Sequence, residues 1–246
     1  MKEKIVPSLA EPVGNLWKDL QSKHTKDGNF LVASPLSSTP LPIYEWVINH
    51  AKEFENWDKV RFVLMDEMLE GEKPPFTYVP TSDPASYEGF ARKHLLEPLE
   101  QKIDIQIPII KPEVLDVENF STEIDLLILA IGVKGNYANV MPETTEETSW
   151  HVAHLTSEFR QVHTQKGSQS YEGANFREYG MSLGPQQVLS AKNVVVIISG
   201  EKKKDLVKEL TSRNLFDPKF PLSIIYHPQV RDRIKIYLTQ DAAGAR

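Results

Sequence analysis

The sequence contains no cysteine. Disulfides, thiolate metal sites and a cysteine nucleophile are therefore excluded. It also lacks an excess of positive charge. Its 28 lysines and arginines face 34 aspartates and glutamates, a formal net charge of -6. Such a surface repels nucleic acid and anionic lipid unless a local basic patch overrides it, so neither is an expected partner. Long apolar runs are missing too. The longest is Ile124 to Ile131, with Asp125 inside it, and it is far too short to span a bilayer. The opening MKEKIVPSLAEPV holds no apolar signal-peptide core, and the expected location is the cytoplasm. No internal repeat, G-x-S-x-G elbow, G-x-x-x-x-G-K-[ST] loop or complete dinucleotide fingerprint is found. No cofactor is expected.

What is present is ordinary globular composition, 40% apolar and 25% charged. The length of 246 residues fits one α/β domain over 1–246, with a sheet covered by helices on both faces. Strand and helix patterns alternate, which predicts a three-layer α-β-α fold around a mostly parallel sheet. Strands are expected at 29–33, 60–65, 123–131, 152–155, 193–199, 223–226 and 234–238. Helices are expected at 11–23, after Pro42, from about Ser86, over 181–189 with Pro185 near the start or at a kink, and over 201–212. A long loop is expected at 70–85, and the last six residues should fray.

Ligands in open α/β sheets bind beyond the carboxyl ends of the strands. Four such ends here carry polar or glycine-rich segments: Ser37-Ser38-Thr39, Asp66-Glu67, Gly132 to Asn136, and Gly200 to Lys203. Each has a functional reading beside an ordinary one. Hydroxyls and amides at a helix start suit a phosphate, yet Ser and Thr there are most often plain caps. Asp66-Glu67 places carboxylates where a proton could be moved between sugar carbons, yet loop acids are mostly solvated. Gly132-x-x-Gly135 allows close approach of backbone to an anion, or simply makes a turn. Lys203 at a helix start opposes the helix dipole, which an anionic ligand would offset, or it belongs to a solvated run. His151 and His154 have metal-like spacing only on a helix. On a strand they face opposite ways, and no metal is expected.

Taken in order, these segments resemble the glucosamine-6-phosphate isomerase/6-phosphogluconolactonase family over about residues 12–240. SPLSSTPLPIYEWV resembles the family's T-G-S-T-P-x-x-x-Y phosphate loop. VRFVLMDEM resembles the strand ending in D-E-Y, and SYEGFARKHLLEPL the S-Y-x-x-F-x-x-x-L helix. EIDLLILAIGVKGNYANVMP resembles the strand and G-x-G-x-D-G-H-x-A-x-x-x-P loop. NVVVIISGEKK resembles the strand before a phosphate-binding lysine, and YHPQV a late L-H-P turn.

The resemblance implies that Ser37, Ser38, Thr39 and Lys203 hold a phosphate, with Gly135 and Lys134 nearby. It implies that Asp66 is the base that moves a proton between C1 and C2. Glu67 and Tyr87 occupy neighbouring family positions, with Tyr87 lining the pocket. Three departures stand out. Asn136 replaces the ring-opening histidine and cannot exchange a proton near neutral pH. Lys134 replaces the acid that would orient it, and Met141 replaces a glutamate. Ser37 also stands where the family has glycine, which costs about 1 kcal/mol if φ must be positive. Lys166 falls near a phosphate-binding arginine. The expected function is a sugar-phosphate isomerase or deaminase acting on a hexose or amino-hexose 6-phosphate, as a monomer or homo-oligomer. A non-catalytic sugar-phosphate binder and a 6-phosphogluconolactonase are the alternatives. His163 is a candidate to restore the lost histidine's role.

Overall fold

The computed structural model describes residues 2–132, 135–166 and 170–244. Strand β1 (Lys2–Val6) opens the chain, and helix α1 (Ala10–His24), strand β2 (Phe30–Ala33) and helix α2 (Leu41–Asn49) follow. Next come β3 (Val60–Val63), β4 (Asp66–Glu70) and the short β5 (Thr77–Tyr78). One continuous helical run is built from α3 (Tyr87–Ala91), a π-helical turn at Arg92–Leu96 and α4 (Glu97–Ile103). It leads to β6 (Ile109–Ile110) and β7 (Leu126–Ala130). The second half contains β8 (His151–His154), α5 (Ser157–Thr164), β9 (Tyr179–Ser182), α6 (Pro185–Ser190), β10 (Val194–Ile198), α7 (Lys204–Thr211), β11 (Ile234–Thr239) and α8 (Gln240–Ala243).

Seven strands form a parallel sheet in the order β1-β11-β10-β7-β2-β3-β6. The alternation of side chains along its strands explains why both faces are covered. In β10, Val195 and Ile197 join one core, while Val194, Val196 and Ile198 join the other. In β7, Leu126 and Ile128 divide from Leu127 and Leu129 in the same way. Strands buried on both faces are uniformly apolar, as parallel sheets require. Val13 and Trp17 of α1 and Ile43 and Val47 of α2 cover one face. Val188 of α6 and Val207 and Leu210 of α7 cover the other. Full burial of each such aliphatic chain contributes roughly 1.5–3 kcal/mol.

A second sheet, antiparallel in the order β5-β4-β9-β8, was not evident in the sequence pattern. The chain passes from one sheet to the other within two residues. The Leu64 amide donates to Ile110 O on the parallel side, and Met65 O accepts from the Leu183 amide on the antiparallel side. Asp66 is therefore the first residue beyond a junction of sheets, paired with Ser182.

Several expectations need correction. Asp66 and Glu67 begin a strand and are buried, so the solvated-loop reading fails. Met181 and Ser182 belong to β9, and the helix starts only at Pro185, after Gly184 whose N–H donates to Gln187 Oε1 at 3.0 Å. Proline suits that first position because no partner awaits its missing N–H. Residues 223–226 lie in a 3-10 helix, Pro221–Tyr226. A short apolar run cannot by itself distinguish strand from helix. Part of the expected frayed end is α8, with Ala242 fully buried. Ser37 does not take a positive φ, so no left-handed strain arises there.

Candidate functional site

Because β2, β3, β7 and β10 run parallel and adjacent, their carboxyl ends share one edge of the sheet. Ser37, Ser38 and Thr39 follow β2 and are partly exposed. None of them caps α2, whose first turn begins at Pro40 without a side-chain cap. Their hydroxyls make no hydrogen bond among the described residues, so the plain-cap reading does not describe them. Tyr44, one turn into α2, fixes the loop: its hydroxyl donates to Pro35 O at 2.6 Å and is hydrogen-bonded with the Ser34 hydroxyl at 3.1 Å. The Ser38 N–H is engaged: it donates to Ser170 Oγ at 2.7 Å. Tyr171 in turn donates to Leu36 O at 2.6 Å.

Asp66 is 6% exposed, and its carboxylate has no hydrogen-bond partner among the described residues. Burial, reinforced by the Glu67 charge, pushes it well above the ordinary carboxylate range. Tyr44, Tyr87 and Tyr171 all lie within electrostatic reach of it and remain neutral phenols, because burial disfavours their ionisation. A buried acid left without compensation costs stability and is characteristic of a working group.

Glu67 differs from its neighbour. Its carboxylate accepts from the Met68, Tyr87 and Glu88 amides at 2.8, 2.8 and 2.7 Å and from Ser86 Oγ at 2.9 Å. It anchors the start of α3 to β4 and has no acceptor left for chemistry. Ser86 caps α3, accepting from the Gly89 amide at 3.0 Å. Tyr87 is buried, and its hydroxyl donates to Asn139 Oδ1 at 3.4 Å.

Gly132 and Gly135 form a tight turn, with Gly135 at φ +75° and its N–H donating to Gly132 O at 3.1 Å. Gly135 O accepts from the Leu222 amide at 2.8 Å. Both polar backbone groups of Gly135 are engaged, so the turn reading describes it and a free anion-binding amide does not. A Cβ on Gly132 would lie 2.2 Å from Asn136 Oδ1; the glycine makes room for the buried Asn136 side chain. Lys134 lies outside the described residues. Lys203 is the last residue before α7 and turns back to the sheet edge, its ammonium donating to Ile131 O at 2.9 Å. Burial lowers its pKa to about 8. Lys166 is exposed.

A cavity of about 360 Å³ opens beside Asn136. Met141, Phe159, Val162, His163 and Lys219 line it too. Its volume suits a small ligand. Burial, and then the nearby Lys203 charge, lower the His163 pKa to about 4. Asp66 and Ser37 to Thr39 do not line this cavity. An aromatic chain joins the two halves: Tyr171 packs on Tyr87 at 5.4 Å and on Phe176 at 5.2 Å, and Phe176 stacks on His163 at 5.8 Å. Sequence reasoning missed this Ser170–Phe176 segment, and also the buried Asn139, because neither stands at the end of a parallel strand. His151 and His154 lie on β8 at a strand spacing that faces them apart. No helix among the described residues is long and apolar enough to cross a membrane.

The fold is an α/β protein whose parallel strands lead at their carboxyl ends to hydroxyls, an ammonium and a buried carboxylate. The family profile described as glucosamine-6-phosphate isomerases/6-phosphogluconolactonase matches residues 2–234, and the chain belongs to that family. It is similar to the glucosamine-6-phosphate deaminase of Halalkalibacterium halodurans, 26% identical over 223 residues covering 85% of this chain and 84% of that protein. The deaminase of Thermoanaerobacter pseudethanolicus is 28% identical over 213 residues, covering 82% of this chain and 79% of that one. Among solved structures, a monomeric glucosamine-6-phosphate deaminase superposes over 100% of both chains with a TM-score of 0.81 at 19% identity. The 6-phosphogluconolactonase of Leishmania guyanensis gives a TM-score of 0.66 at 18% identity over 99% of this chain and 98% of that one. At such identities these structures speak for the shared fold.

Proposed function

We propose that this protein binds a hexose or amino-hexose 6-phosphate and acts on it as an isomerase or deaminase. The observation that carries the reading is Asp66: buried, without a hydrogen bond among the described residues, and following β3, the sheet neighbour of the strand β2 that leads into the hydroxyl loop. A carboxylate raised above its ordinary range is a better base for a proton on carbon. In this reading Asp66 takes the C2 proton of the open-chain sugar and returns it to C1. Ser37, Ser38, Thr39 and Lys203 hold the phosphate, and Tyr87 shapes the wall. Glu67 is a positioning residue that locks β4 against α3. The curated relatives named as deaminases support the choice of reaction.

Asn136 and Met141 favour a second reading, a sugar-phosphate binder without turnover. The test is conversion of glucosamine 6-phosphate followed by release of ammonia and fructose 6-phosphate. Asp66→Asn should lower turnover by at least ~10²-fold and leave binding intact. Unchanged turnover would remove Asp66 from the mechanism. Binding without conversion by the wild type would favour the binder.

A further inference from the structure

We propose that His163 is the proton carrier of ring opening in this protein, doing from helix α5 what Asn136 cannot do. The inference rests on the isomerase/deaminase reading, because only a reaction that needs an open-chain sugar needs this step. A pyranose opens when the anomeric O1–H proton is removed, C1=O1 forms, the C1–O5 bond breaks and O5 gains a proton. One group can do both transfers by taking the proton from O1 and delivering it to O5. That group must exchange protons readily, and an amide does not.

The cavity beside Asn136 narrows the choice. Its titratable lining groups are Glu158, His163 and Lys219. Glu158 lies in the first turn of α5 and His163 in its last. Imidazole is the group that both accepts and donates near neutral pH. The ring is held in place on two sides, tilted against Phe159 at 4.5 Å and stacked on Phe176 at 5.8 Å. Such packing fixes its orientation, as a proton carrier requires. The Lys203 ammonium lies within electrostatic reach. Burial and that charge hold the imidazole neutral, with its pKa lowered to about 4. A phosphate dianion bound by Lys203 offsets the ammonium and raises the imidazole toward its ordinary range. His163 thus becomes able to take up a proton when the substrate arrives.

The test compares wild type, His163→Asn, Asn136→His and the double variant carrying both changes. Each is assayed for glucosamine 6-phosphate turnover and, by calorimetry, for binding of the same sugar. The proposal expects His163→Asn to lose ~10²–10⁴ in kcat with its Kd changed less than about threefold. It expects the double variant to regain at least tenfold of that loss, because a histidine again faces the cavity. A His163→Asn variant that turns over like wild type overturns the proposal and leaves the isomerase/deaminase reading standing. So does a lost activity that comes with weakened binding and no rescue, since His163 would then act only in packing. A wild type that binds the sugar phosphate without converting it overturns both.

Discussion

The Ser38 amide donates to the Ser170 hydroxyl at 2.7 Å. A residue 132 positions away thereby holds one of the backbone donors of the hydroxyl loop. Any phosphate that uses this amide has to displace Ser170 first. A hydrogen bond of this kind contributes about 0.5–1.5 kcal/mol net. Ser170→Ala should therefore tighten binding of inorganic phosphate roughly 2–10-fold, read by calorimetric titration. Weaker binding in that variant would mean that the Ser170 hydroxyl itself contacts the anion.

Asp66 and stability should pull in opposite directions. Its folded-state pKa lies well above the unfolded value, through burial and the Glu67 charge. The folded state then binds the proton more tightly, so stability is lost as pH rises from about 4 toward the folded pKa. Asp66→Asn removes that cost. The variant should melt higher than wild type, by roughly 2–4 °C per kcal/mol recovered in a chain of this size. The gain should be larger at pH 8 than at pH 5, as measured by differential scanning calorimetry. A variant that melts lower at both pH values would show that Asp66 is a structural acid.

Glu67 should behave in the contrary way. Its carboxylate satisfies four donors at the head of α3. Glu67→Ala strands those donors in a buried place, and loss of such a network costs upward of ~3 kcal/mol. Urea denaturation should show a lower midpoint for Glu67→Ala and a much smaller change for Glu70→Ala, since Glu70 is the partly exposed end of β4. Similar effects of the two substitutions would contradict the anchoring role.

Much of this was legible in the sequence, for a physical reason. The apolar runs of β7 and β10 and the polar segments that follow them are local patterns, and a parallel sheet ties function to strand ends. The placement of Lys203 and Asp66 just past the ends of parallel strands could be read in that way. The antiparallel sheet could not. Its strands β4, β8 and β9 are short, and they pair residues as distant as Asp66 and Ser182. Met181 and Ser182 fall within the helix expected over 181–189, and only the pairing with β4 makes them a strand. The different fates of Asp66 and Glu67 were equally hidden. Adjacent acids on a strand face opposite sides; Glu67 meets amides of α3, while Asp66 lies within electrostatic reach of Tyr44, Tyr87 and Tyr171. The bridge formed by Ser170 and Tyr171 depends on loop contacts that no periodicity encodes.

The most direct test of the account is a calorimetric titration of wild type and Lys203→Met with glucosamine 6-phosphate and with glucosamine. The account predicts saturable binding of the phosphorylated sugar to wild type, at least tenfold weaker in Lys203→Met, and no comparable binding of glucosamine to either. Equal binding of the two sugars, or an affinity for the phosphate that survives loss of the Lys203 ammonium, would contradict it.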